Sequence, residues 1–276
     1  MELDNKDLKR LQGALLDILV EFDRVCRSNS IEYSLCGGTL IGAVREHGFI
    51  PWDDDADVAL LRKEYDKFVE ACKTDLNTER FFFQDYRTDP NYPWGYAKLR
   101  MNGTKIIQPG QENLDFHKGI YVDVFIYDNV PDGFLARRLH LFACYLIRKC
   151  QYSVEGRILA NNNLLRGWYS ILNCIPKKWL FMAIDKIAYS NNKKRTKLCR
   201  HLTYPYFKKE ARYGLPLKCF DEYVDVDYEG KTFRIIKDYD TLLTIKYGDY
   251  MTPPPQSEIK HLAISSIEFP IEKEQR

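Results

Sequence analysis

SLCGGTLIGAVREHGFIPWDDDADVALL, Ser34 to Leu61, passes from an alternating run through two glycines into a helical pattern, then through four carboxylates into an apolar run. The first run has the period of a strand, Gly37 and Gly38 end it, and TLIGAVREH has helical character. Asp53, Asp54, Asp55 and Asp57 crowd the start of ADVALL, a short buried strand. Side chains of a strand alternate faces, so Asp55 and Asp57 project together, as do Asp53 and Asp55 if the backbone is already extended there. Two carboxylates on one face repel unless a cation lies between them, and Mg²⁺ suits a few carboxylate oxygens completed by phosphate and water oxygens. A solvated acidic loop is the plainer reading of a D-x-D pair, so its surroundings decide.

Upstream, Leu8, Leu11, Leu15, Ile18, Phe22 and Val25 recur at helical spacing after Asp4 and Asn5, either of which would cap an amphipathic helix. Downstream, RKEYDKFVEACKT reads as a helix, and RFFFQDY, YAKLRM, TKIIQ and GIYVDVFIY read as strands, making the first half mixed α and β around one sheet. From Phe134 the strand alternation disappears and the chain becomes helical, apolar and aromatic, dotted with Arg and Lys. Near the end, YVDVDYEGKTFRII reads as a hairpin turning at Glu229-Gly230 and YDTLLTIKYG as a helix, while Pro253, Pro254 and Pro255 interrupt any regular element beyond it. We divide the chain into a core over 1–133 and a mainly helical region with a hairpin over 134–276, packed on that core as one domain overall.

The 276 residues carry 41 basic and 39 acidic side chains, a formal charge of +2, which offers no basic surface for nucleic acid. The eight cysteines have no C-x-x-C spacing and read as reduced, mostly buried thiols; with no leader at the start and no apolar run near ~20 residues, the expected place is the cytoplasm.

A glycine pair at a strand end that opens a helix lets backbone N–H groups approach an anion, and Gly37, Gly38 and Thr39 fit that use. Strand, GG, helix, then D-x-D is the arrangement of nucleotidyltransferase folds of the polymerase-β type, which add a third carboxylate on a neighbouring strand. Asp123 is that candidate, because it lies between Val122 and Val124 in an apolar strand where an unpaired charge is costly. Asp225 and Asp227 share the D-x-D spacing but adjoin a turn with no glycine-opened helix before them, so we expect them to face solvent.

CGGTLIGAVREHGFIPWDDDADVAL, with YAKLRMNGTKI, GIYVDVFIYD and YGDYMTPPP, resembles the LicD family of phosphotransferases, related to the fukutin group within the nucleotidyltransferase superfamily. The resemblance runs from the first helix to the proline run, is most specific at G-F-I-P-W-D-D-D-x-D, and is loosest over 134–192. It implies an α+β nucleotidyltransferase-like mixed sheet with flanking helices and an added helical region. It further implies transfer of a phospho-alcohol, commonly phosphocholine from CDP-choline, onto a sugar hydroxyl of a teichoic acid, lipopolysaccharide or capsule precursor, lipid-linked or not.

On that reading Asp55 and Asp57 hold Mg²⁺ or Mn²⁺ against the donor diphosphate, Asp53 or Asp54 supports them, and Asp123 completes the site as metal ligand or proton acceptor. Arg45, Lys98 and Arg100 are the phosphate-neutralising candidates, Arg45 ahead of His47; Lys98 and Arg100 share one strand face, which would equally be a solvated basic face. A quaternary ammonium would need aromatic faces, and Trp52, Tyr92, Trp94, Tyr96 and Tyr121 lie near the motifs, Trp94 and Tyr96 foremost. The alternatives are a transferase of ribitol or glycerol phosphate, a true nucleotidyltransferase, and a non-catalytic Ca²⁺- or glycan-binding module; D-D-D-A-D lacks the Gly and Glu of a Ca²⁺ loop. Over 134–189 the interleaved Arg, Lys and aromatic residues have the composition of a peripheral membrane anchor, against the ordinary alternative of helices buried on the core with snorkelling basic ends.

Overall fold

A computed structural model of the chain describes residues 3–204, 209–259 and 261–269. Helix α1 (Asn5–Ser28) is capped by Asp4, whose Oδ1 accepts from the Asp7 N–H at 2.7 Å, and buries the stripe Leu11, Leu15, Ile18, Phe22 and Val25. Strand β1 (Ser34–Leu35) is only two residues long, and α2 (Gly37–Arg45) begins at Gly37 itself, so the glycine pair forms the first turn of the helix instead of ending the strand. Then come β2 (Asp57–Leu61), α3 (Arg62–Cys72), β3 (Phe81–Gln84), β4 (Ala97–Met101), β5 (Lys105–Ile107) and β6 (Tyr121–Val130).

The main sheet runs β1-β2-β6-β4-β3, with β2 and β6 parallel and the other neighbours antiparallel. Helices α1 and α3 pack on one face, where Phe22 meets Phe68 with ring centroids 4.7 Å apart, above Val122, Val124 and Val58 of the central strands. Helix α7 (Lys177–Asn191) meets the end of β6, where its C-cap Asn192 donates to Asp128 Oδ1 at 2.6 Å, and packs on α4 (Phe134–Gln151) around a small core of Cys144, Ile147, Phe181, Ile184, Ala188 and Leu202. Between them lie α5 (Ser153–Leu159) and α6 (Asn163–Asn173).

Strands β7 (Leu198–His201) and β8 (Leu215–Pro216) join the main sheet, β7 pairing with the end of β6 at Tyr127–Val130. Sequence reading misses both, because neither is long enough to show an alternating period. It also assigns β5 to the single sheet, whereas β5 pairs apart with β11 (Ser266–Glu268). The hairpin β9 (Tyr223–Tyr228) and β10 (Lys231–Ile236) turns at Glu229 and Gly230, both with positive φ (52° and 67°), as expected. Helix α8 (Tyr239–Tyr247) stops at Gly248. All eight cysteines are free thiols, and seven are buried. Among the described residues no helix is long and apolar enough to cross a membrane.

Candidate active site

Strand register brings the predicted groups together. Asp57 of β2 stands opposite Asp123 of β6, and Asp123 stands opposite Lys98 of β4, so three side chains form one row across three adjacent strands. Lys98 Nζ donates to Asp123 Oδ1 at 2.5 Å and lies over the Tyr121 ring, 3.2 Å from its centroid. The Asp123 N–H donates to the Ala56 carbonyl at 2.9 Å, which fixes the segment between Asp55 and Asp57 against β6.

The start of α2 is shaped around these acids. A Cβ on Gly37 would lie 2.4 Å from Asp57 Oδ2, and one on Gly38 would lie 2.8 Å from Asp53 Oδ2; the glycines thus leave their space to the protein's own carboxylates. Gly37 also has φ +61°. Thr39 is buried, and its Oγ1 accepts from the Asp57 N–H at 2.9 Å while the Cys36 N–H donates to the Asp57 carbonyl at 3.0 Å, clamping β2 to the helix. Gly37→Ala is therefore expected to displace Asp57, adding about 1–2 kcal/mol of backbone strain to the clash. Turnover should fall at least about tenfold with a lowered unfolding midpoint, read by kinetics and thermal melting, and an unchanged variant would contradict this packing.

Electrostatics follow from crowding. Burial, then the charges of Asp55 and Asp123, hold the Asp57 carboxyl well above the ordinary range. Burial and the neighbouring Asp123 and Asp54 raise Asp55 to about 6, against the pull of Lys98 and Lys246. Burial and the charges of Asp55 and Asp54 raise Asp53 to about 8, with Arg45 pulling the other way. Lys98 is drawn down to about 8 by burial, which outweighs the attraction of Asp123. Lys246, in the last turn of α8, is the cation that sequence reading missed; its one signal was its place just before the YGDYMTPPP string.

Other predicted groups serve elsewhere. Asp54 points away from the acid row, accepting from the Leu262 N–H at 2.8 Å with His261 Nδ1 at 3.6 Å, so it anchors the C-terminal segment and gives the row no support. Arg45 donates to the Tyr250 carbonyl at 2.8 Å and to Glu46 at 2.7 Å, while its Nη2 and Asp53 Oδ2 are buried with no hydrogen-bond partner. Arg100 is buried and donates to Gln84 Oε1 at 2.5 Å and to the Gly119 carbonyl at 2.6 Å. His47 is a positive-φ residue after α2, its carbonyl accepting from the Glu229 N–H. Asp225 pairs with Arg27 at 2.8 Å on the surface, and Asp227 is exposed beside the hairpin turn, as expected.

Beside the row lies a cavity of about 380 Å³ lined by Trp94, Tyr96, Tyr152, His201, Tyr204 and Arg148, among others. Its aromatic wall is continuous, with Tyr96 and His201 centroids 5.7 Å apart and His201 and Tyr204 6.3 Å apart. Burial, and then the charge of Asp123, push the Tyr96 hydroxyl well up; burial raises Tyr204 to about 12, with Asp57 and Asp55 adding to the rise, so the wall and the acids adjoin.

Whether the donor set suits a metal can be judged from its chemistry. Asp55, Asp57 and Asp123 offer only hard carboxylate oxygens that repel one another, a set suited to Mg²⁺ or Mn²⁺ and unlike a nitrogen and sulfur site for zinc. Among the described residues no three acidic, histidine or cysteine side chains enclose an ion by themselves, and the Lys98 ammonium already neutralises Asp123. The remaining ligands would come from the phosphates of a bound donor and from water.

A mixed sheet with paired carboxylates after a glycine-opened helix, and a third on the adjoining strand, defines a nucleotidyltransferase-like α+β protein. The chain belongs to the LicD family. Residues 30–133 match the sequence profile described as LicD/FKTN/FKRP, nucleotidyltransferase domain. The chain is 31% identical over 265 residues to the lipopolysaccharide cholinephosphotransferase LicD of Haemophilus influenzae, covering 92% of this chain and 94% of that one. It is 23% identical over 235 residues to the uncharacterized protein RP689 of Rickettsia prowazekii, covering 82% and 78% of the two chains.

Proposed function

We propose that this chain moves phosphocholine from CDP-choline to a sugar hydroxyl of a lipopolysaccharide precursor. The observation that carries the reading is the row Asp57, Asp123 and Lys98 beside an aromatic cavity; the name of the Haemophilus relative supplies the substrate class. Asp55 and Asp57 would hold a divalent cation, which supplies charge neutralisation at the donor diphosphate. Asp123 takes the proton of the attacking sugar hydroxyl, and Lys98, hydrogen-bonded to its Oδ1, fixes the orientation of that carboxyl group. The new bond joins the sugar oxygen to the choline-bearing phosphorus, and the bond from that phosphorus to the bridging oxygen breaks, so CMP leaves with the electron pair. The trimethylammonium group lies against the faces of Tyr96, Trp94 and Tyr204, where a cation gains on the order of 0.5–2 kcal/mol per well-placed ring.

The test mixes the protein with Mg²⁺, a lipopolysaccharide acceptor and, in turn, CDP-choline, CDP-ribitol and CDP-glycerol, and follows CMP. CDP-choline is expected to support release at least about tenfold faster than the others, consistent with a cation-selective pocket. Faster release from CDP-ribitol or CDP-glycerol would assign another alcohol, and transfer of the nucleotide itself would make the protein a nucleotidyltransferase.

A further inference from the structure

The helical region turns apolar side chains outward as well as inward. On α6, Leu164, Trp168 and Ile171 recur at helical spacing with exposures of 88%, 50% and 66%, while Tyr169 and Leu172 of the same helix are buried. On α4, Phe134, Leu139 and Phe142 are exposed while Cys144 and Ile147 are buried, and Trp179 at the start of α7 is 67% exposed. Each of these helices already has its inward apolar face satisfied, so the outward residues are surplus to the core. An exposed apolar surface of this extent marks an interaction site.

Charge selects the partner. Residues 134–192 hold nine Lys and Arg against two acids, although the whole chain is only +2. Neither acid is free to offset that excess at the surface: Glu155 is buried and accepts from Gln111 at 2.8 Å, and Asp185 accepts from the Tyr86 hydroxyl at 2.6 Å. Arg157, Arg166, Lys177 and Lys178 are exposed around the apolar residues. A second copy would present the same excess of positive charge to itself and be repelled, whereas an anionic bilayer complements both the charge and the apolar side chains.

We propose that α4, α6 and the start of α7 form a peripheral membrane-binding face that inserts its apolar side chains into the headgroup boundary of an anionic leaflet. The face lies on the surface of the bilayer without spanning it, in keeping with the absence of a spanning helix among the described residues. It stands independently of the catalytic reading. It does bear on where a substrate meets the protein, because Arg148 and Tyr152, at the end of α4, line the aromatic cavity.

The experiment is co-sedimentation of the full chain with vesicles of phosphatidylcholine alone and of phosphatidylcholine with phosphatidylglycerol, at low and high salt. Binding is expected only with phosphatidylglycerol, weakening several-fold as salt screens the basic residues. L164S/W168S should weaken it at least about tenfold, and R157Q/R166Q several-fold, with unfolding midpoints held at the parent value because all four side chains are exposed. Should L164S/W168S be unstable, I171S and W179S replace it as separate variants. Absence of binding at low salt, or binding untouched by the apolar substitutions, overturns the proposal. A concentration-dependent dimer that L164S/W168S abolishes, without vesicle binding, gives the face to a second copy instead.

Discussion

Asp55→Asn and Asp57→Asn are each expected to lower turnover by roughly a thousandfold or more while leaving the apo protein as stable as the parent at pH 8, or more so. Loss of a charge that would hold the cation removes several kcal/mol of transition-state stabilisation, which sets the scale of the rate effect. Stability moves oppositely because Asp53, Asp55 and Asp57 are all held above their ordinary ionisation range by burial and by one another. A carboxyl whose folded-state value is raised contributes stability that is fully present below the unfolded value and lost as pH rises through the folded one. For Asp55 that window runs from near 4 through about 6, and for Asp53 from near 4 through about 8. The metal-free protein should therefore melt progressively lower across that window, the Asn variants should melt less steeply with pH, and Mg²⁺ should raise the parent's midpoint at pH 8 but not theirs. Melting curves in chelator and in Mg²⁺, set beside kinetics, check all three. A variant retaining more than about a tenth of parental turnover would remove that residue from the chemistry.

Asp123→Asn should be as inactive, but its stability should move the other way. The substitution strips the carboxylate from a buried ammonium, a loss on the order of 3–5 kcal/mol if Lys98 stays charged. Lys98 already sits at about 8, so it would be expected to shed its proton and recover part of that loss, more of it at higher pH. The pair D123N/K98M should regain stability without regaining turnover, which separates the chemical role of the acid from its structural one. D225N/D227N is the contrast: Asp225 is 48% exposed in its pair with Arg27, and an exposed pair contributes at most about 1 kcal/mol, so turnover should be untouched. Inactivity of D225N/D227N with an active D123N would mean the wrong acidic pair stands at the centre.

The elements that positioned the acids were legible because their periods are long enough to read. Nine residues of α2 and five of β2 show their pattern, and a valine-flanked Asp123 betrays itself by chemistry alone. Alternation correctly separated Asp55 and Asp57 from Asp54, yet nothing in D-D-D-A-D says that Asp54 would bond to Leu262, a partner 208 positions away. Arg45 and Arg100 illustrate the same limit, since a free and a committed arginine look alike until the Tyr250 and Gly119 carbonyls come to hand. Lys246 had only its place before YGDYMTPPP to mark it, because a lysine in the last turn of a helix is ordinary until its charge is felt at Asp57. The glycine pair was legible as a place of close approach, but not that the groups pressed against its Cα atoms would be Asp57 and Asp53 of the chain itself.

The bond from Leu262 to Asp54 also sets a clock. The acid loop is made early in synthesis, but its outer side is fastened by a residue that emerges 208 positions later, and the β5 edge waits for β11. At about 5–20 residues per second, ribosomal elongation leaves the loop without that fastening for roughly 10–40 s. During that interval four neighbouring carboxylates sit on an unfinished chain. Closure of the loop's outer side is thus a late event in synthesis, whereas the register that sets Asp57 opposite Asp123 is within reach once β6 has emerged.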